Sequence, residues 1–171
     1  RVRGTALVYT QNYDAGIKDC DIAIRLAPLI PQAFGARGLA FLETGKLDAS
    51  IEDCTKALLL DPEQDWILST RAQAWSEKGD PKAAIRDYTE IIRISPQNSD
   101  GYLGRAAEYI KIGEYAAACK DYAEMIKLTP EDDNAFYGRA IALERQGNTE
   151  ASLRDYTEAL RINPNKAEAH V

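Results

Sequence analysis

The chain has 171 residues, with 45% hydrophobic and 28% charged residues and a formal net charge of −6. That is enough apolar material for a core, which excludes global disorder. The acidic balance repels phosphate backbones and makes nucleic acid a poor partner, and no apolar run approaches the roughly 20 residues of a membrane span.

Prolines fall at Pro28, Pro62, Pro96, Pro130 and Pro164, one every 34 residues. Arginine keeps the same step at Arg3, Arg37, Arg71, Arg105 and Arg139, and aspartate at Asp19, Asp53, Asp87, Asp121 and Asp155. Three residue types in register over five cycles define a repeat array, and this period corresponds to a stacked helix-turn-helix unit. The five units share a continuous core, so residues 1–171 are expected to form one solenoid domain with repeat ends near the five prolines. The chain starts at Arg1 and breaks off in the same phase of the repeat at Val171, which reads as a fragment of a longer chain.

In chain order, a helical remnant is predicted near 2–10. A helix follows over 13–26, with Asn12 as N-cap and Pro28 as its stop. The next unit pairs 32–44, carrying Phe34, Gly38 and Phe41, with 47–60, carrying Ile51, Cys54, Ala57 and Leu58. Gly45 lies between them and suits a left-handed cap. The third pairs 65–78 with 81–94, where Asp80-Pro81 forms an N-cap and a first-turn proline. The fourth pairs 99–112 with 115–128, and the fifth pairs 133–146 with 149–162. The small columns Gly4, Gly38, Ala72, Ala106, Ala140 and Gly16, Ser50, Ala84, Ala118, Ser152 let paired helices approach. Leu7, Phe41, Trp75, Tyr109 and Leu143 fill the space between them.

Small, aromatic, glycine, small, aromatic, alanine and proline recur over each 34 residues. Phe34-Gly38-Phe41-Gly45-Ser50-Cys54-Ala57-Pro62 carries this pattern, as does Tyr102-Ala106-Tyr109-Gly113-Ala118-Tyr122-Met125-Pro130. It resembles the tetratricopeptide repeat, known as TPR, over essentially the whole chain. One departure is arginine before the small residue, where family members often place leucine. The resemblance implies an all-α fold, a right-handed α-α superhelix of stacked hairpins whose first helices line a concave groove. It also implies peptide or protein binding there and no catalysis. The family's chaperone adaptors clamp a C-terminal carboxylate with Lys and Asn. At the matching positions stand Ala36, Thr70, Gly104 and Gly138, with Gly35, Ser69, Leu103 and Tyr137 beside them, so that role is not implied.

By the same resemblance the groove set is Val8 and Tyr9; Leu39, Leu42 and Glu43; Trp66, Thr70, Gln73 and Glu77; Asp100, Leu103, Ile110 and Lys111; Asn134, Tyr137, Ile141 and Arg145. A merely solvated face would be mostly charged, whereas this one is rich in large apolar groups. Trp66 stands out as an anchor for a partner, against the alternative of a ring tucked between repeats. Small residues at Ala36, Gly104 and Gly138 are expected to leave room beside it. The arginine and aspartate columns are expected to form structural ion pairs across paired helices.

No catalytic constellation is found. The single histidine, His170, lies in the broken last unit, which leaves no Cys/His zinc set and no Ser-His triad within the array. Glu131-Asp132-Asp133 reads as a helix N-terminus and not as a metal site. No cofactor is implied. Three cysteines do not make a disulfide framework; Cys20, Cys54 and Cys119 fall in core columns, which favours a reducing, cytoplasmic setting. The chain therefore reads as a non-catalytic interaction scaffold for a protein or peptide, without nucleic acid or membrane insertion. The alternatives are self-association through its open repeat ends, or a regulatory domain of a larger enzyme.

Overall fold

The computed structural model describes residues 13–164. Among these the secondary structure is nine helices and no strand. They are α1 (Tyr13–Leu26), α2 (Pro31–Glu43), α3 (Leu47–Leu60), α4 (Asp65–Lys78), α5 (Pro81–Ile94), α6 (Ser99–Lys111), α7 (Tyr115–Leu128), α8 (Asp133–Arg145) and α9 (Thr149–Ile162). The expected remnant near 2–10, the N-cap Asn12, and Arg3, Val8 and Tyr9 lie outside the described residues.

Helix ends follow local chemistry. Asp80 Oδ1 accepts from Ala83 N–H at 2.9 Å and Asp132 Oδ1 from Asn134 N–H at 2.9 Å, satisfying donors that the first turn leaves orphaned. The first helices of the second, fourth and fifth units stop one residue earlier than predicted, at Glu43, Lys111 and Arg145. Thr44 leaves helical geometry, and Gly45 then turns at φ +72°, in the left-handed region.

The chain packs as two compact units, Arg1–Ile94 and Ser95–Val171. In the first, consecutive helices α1 to α5 pack pairwise and α2 also touches α4. Its main core joins Phe34, Cys54, Ala57, Leu58, Ile67, Leu68, Ala72, Ala84, Tyr88 and Ile91. A satellite cluster joins Leu42, Ile51 and Ala74. Small residues permit these contacts: a Cβ on Gly38 would lie 2.7 Å from Cys54 Sγ. In the second unit α6 to α9 pack in the same way, around Ala106, Ala118, Tyr122, Met125, Ala135 and Ala142. Each hairpin alone exposes one apolar face, which its neighbour covers. At α9 Leu153 is 60% and Leu160 40% exposed, and Ile162 is partly exposed.

Candidate functional site

The arginine and aspartate columns meet inside each hairpin. Arg37 Nε and Nη2 donate to Asp53 Oδ2 and Oδ1 at 2.6 and 2.9 Å, and Arg71 makes the same fork to Asp87 at 2.9 and 2.7 Å. Arg105 does so to Asp121 at 2.8 and 2.7 Å, and Arg139 to Asp155 at 2.6 and 2.8 Å. The aspartates are buried and the arginines are about one-fifth to one-quarter exposed. The bond to Asp53 holds the Arg37 guanidinium above its ordinary range, against the opposing cost of burial. Asp121 and Asp155 do the same for Arg105 and Arg139. The third guanidinium nitrogen reaches the preceding hairpin: Arg37 Nη1 meets Asp21 Oδ1 at 2.5 Å and Arg71 Nη1 meets the Thr55 hydroxyl at 3.1 Å. Arg37 and Arg71 therefore tie hairpins to one another as well as closing their own. Asp19 is described, but its expected partner Arg3 is not.

The predicted groove residues divide. In the first unit Glu43, Gln73 and Glu77 are exposed, and Leu39 is half-buried against the satellite cluster. Leu42 and Thr70 are corrections: they are 6% and 4% exposed. Leu42 packs with Ile51 and Ala74, and the Thr70 hydroxyl donates to the Trp66 carbonyl at 2.9 Å. Trp66 is intermediate between the two groups. It is half-buried against the main core and its ring covers Gly35, where an added Cβ would sit 2.6 Å from Cη2. Its indole N–H donates to Gln64 Oε1 at 3.1 Å. Trp66 is a ring tucked between α2 and α4.

In the second unit Asp100, Leu103, Lys111, Asn134 and Arg145 are exposed, while Ile110, Tyr137 and Ile141 are half-buried. Leu103 is 39% exposed. Tyr137 meets Tyr156 edge to face at 5.5 Å, and the Tyr156 hydroxyl donates to Glu144 Oε2 at 2.9 Å. Burial and the neighbouring Glu144 carboxylate push the Tyr156 phenol up to about 12. The expected room at Gly138 is filled, because a Cβ there would lie 2.3 Å from Tyr122 Cζ. Glycine admits the Tyr122 ring and leaves no space for a ligand.

Two features escaped sequence reasoning. Glu108 is 3% exposed in a column that otherwise holds Ala40, Ala74 and Ala142, and its Oε1 meets Lys111 Nζ at 2.7 Å. A cleft of about 260 Å³ opens beside Leu59 and Leu68. The signal for both was available as a departure from the column.

Burial pushes the Cys54 thiol up to about 12 and Cys20 up to about 11, so neither is a thiolate near neutral pH. Among the described residues no helix is long and apolar enough to cross a membrane.

No curated protein matches the chain at a significant level. Two crystal structures of MamA are each 20% identical to it, at TM-scores of 0.86 and 0.88. The matches cover 98% and 96% of this chain and 92% and 96% of those. YrrB, described as a TPR protein with an unusual peptide-binding site, matches at TM-score 0.85 and 16% identity over 97% of this chain and 86% of its own. At these identities the likeness carries the fold. Two tetratricopeptide repeat family models match residues 1–65 and 134–166. Together with the hairpin periodicity, these matches show that the chain belongs to the tetratricopeptide repeat family, a generally non-catalytic class of protein-interaction scaffold.

Proposed function

We propose that this chain binds a peptide or helix of a partner protein on the face formed by α6 and α8. The observation that carries this reading is Leu103, exposed at 39% on α6, with Ile110 half-buried on the same helix and Tyr137 and Ile141 half-buried on α8. Asp100, Lys111, Asn134 and Arg145 are the exposed polar residues of the same set. An apolar centre with a polar, mixed-charge surround is the usual anatomy of a protein-binding patch. In the first unit Leu39, Glu43, Gln73 and Glu77 supply the corresponding face. The family's generally non-catalytic character supports a binding role over an enzymatic one.

The test is selection of peptides from a displayed random library on the purified chain, followed by titration of selected peptides against variants. Leu103→Asp is expected to weaken a selected peptide about tenfold or more, because a charge replaces an anchor. Leu153→Asp, on an exposed position of α9, is expected to leave affinity unchanged. Equal affinity for the parent and the Leu103→Asp variant sinks the assignment.

A second reading rests on Leu153 and Leu160, both exposed on α9. Such leucines suit end-to-end association of two copies. Light scattering decides it: mass that rises with concentration and falls back in Leu153→Glu supports association, and a constant monomer mass rejects it.

A further inference from the structure

Leu68 occupies a column that holds Phe34, Tyr102 and Phe136 in the other described repeats. At Phe34 and Phe136 the ring lies against the arginine three residues on. Arg37 Cζ is 5.9 Å from the Phe34 centroid and Arg139 Cζ is 5.8 Å from that of Phe136. The next column offers a second ring, Phe41 to Arg37 at 5.8 Å and Tyr109 to Arg105 at 5.9 Å. In the third repeat that second ring is Trp75, and Lys78 occupies it at 5.3 Å. Among the described residues no ring packs on Arg71. In place of the missing ring is the cleft of about 260 Å³, walled by Leu58, Leu59, Pro62, Leu68, Arg71 and Glu90.

Leu59, which lines the cleft, departs from the repeat as well, and so does Leu29. The column of Leu59 otherwise holds Arg25, Arg93, Lys127 and Arg161, and that of Leu29 holds Glu63, Gln97 and Glu131. Where arginine and glutamate occupy both columns they approach one another, Arg93 to Glu63 at 4.0 Å and Arg161 to Glu131 at 3.8 Å. Here both are leucine, 79% and 76% exposed. Two exposed leucines stand at the positions of the charged pair, and one of them, Leu59, lines the cleft that lacks its ring. Leucines at both positions offer apolar surface that a partner can cover.

We propose that this cleft receives one aromatic side chain of a partner peptide. The ring packs on the Arg71 guanidinium as Phe34 packs on Arg37, and Leu59 with Leu29 forms an apolar shelf for the adjoining residue. Asp87 and Thr55 already hold the guanidinium in place, so little side-chain freedom is lost on binding. None of these residues belongs to the face of α6 and α8, and the inference stands or falls apart from that reading.

The experiment is an NMR titration of the full chain, with labelled leucine methyls and arginine Nε–H, using N-acetyl-phenylalanine amide and N-acetyl-cyclohexylalanine amide as probes. The aromatic probe is expected to shift Leu58, Leu59, Leu68 and Arg71 saturably. The saturated probe, more hydrophobic but without a π face, is expected to bind a few-fold to about tenfold more weakly if the ring–guanidinium contact carries the binding. Leu68→Phe restores the column residue and is expected to abolish the shifts at Leu58 and Leu59. Leu59→Arg alters only an exposed position and is expected to weaken binding several-fold with an unchanged circular dichroism spectrum. Equal binding of the two probes, shifts confined to other regions, or undiminished binding in Leu59→Arg overturns the proposal. Undiminished binding in a folded Leu68→Phe variant does so too.

Discussion

Replacing Asp87 by alanine isolates the contribution of the arginine ladder. Asp87 is 6% exposed and accepts two hydrogen bonds from Arg71. Removing one partner of a fully buried pair costs about 3–5 kcal/mol, mostly because the other charge is stranded. The Arg71 side chain is 20% exposed and keeps the Thr55 hydroxyl, so part of its charge stays solvated. The expected cost is therefore about 2–3 kcal/mol. Asp53→Ala should cost about 1 kcal/mol less, because Arg37 retains the Asp21 carboxylate. The double change Arg71→Met with Asp87→Leu leaves no stranded charge and should stay within about 1 kcal/mol of the parent. Both tryptophans, Trp66 and Trp75, lie in the first unit, so their fluorescence during urea unfolding reports the unit that carries these changes. At an unchanged slope, Asp87→Ala should lower the urea midpoint by about 1–2 M. A loss below about 0.5 kcal/mol, or a double variant costing the sum of its singles, would show that the ladder does not stabilise in this way.

Three further outcomes follow from packing and titration. Trp66→Ala should destabilise the first unit by about 2 kcal/mol, whereas the exposed Leu103→Ala should stay within about 0.5 kcal/mol by urea unfolding; the reverse ranking restores Trp66 to the surface. Gly138→Ala drives a Cβ into the buried Tyr122 ring and should cost about 1–3 kcal/mol, seen as a lower melting midpoint of far-ultraviolet circular dichroism; an unchanged midpoint means the ring moves freely. The Cys54 and Cys20 thiols, raised by burial from about 9 to about 12 and about 11, stay protonated in the fold while the unfolded chain ionises. Their contribution is complete below about pH 9 and is lost as the pH rises towards 11–12. Melting midpoints should fall across the accessible alkaline range, less steeply in Cys54→Ala; equal slopes reject a role for this thiol.

The sequence by itself determined the period, the helices and their ends. Proline and glycine act through their own backbone geometry, so Gly45, Gly79, Gly113 and Gly147, at φ between +72° and +87°, were legible as helix stops without any neighbour. The arginine and aspartate columns were legible as columns. Which aspartate each arginine meets was not, because that depends on how paired helices cross; the structure selects the one 16 residues on, and for Arg37 also Asp21 in the hairpin before. The face that each first helix shows to solvent was only half legible. Leu42 and Thr70 share a helix with exposed residues yet are buried, and the Trp66 ring is half-buried against the neighbouring hairpin. Its azimuth is set by the close approach of the Trp66 ring to Gly35, a contact 31 residues apart in the chain. Periodicity within one helix carries no information about such a contact. The same reason hid the cleft beside Leu68: a leucine in place of a ring looks like an ordinary core substitution until the packing shows that nothing fills the space against Arg71.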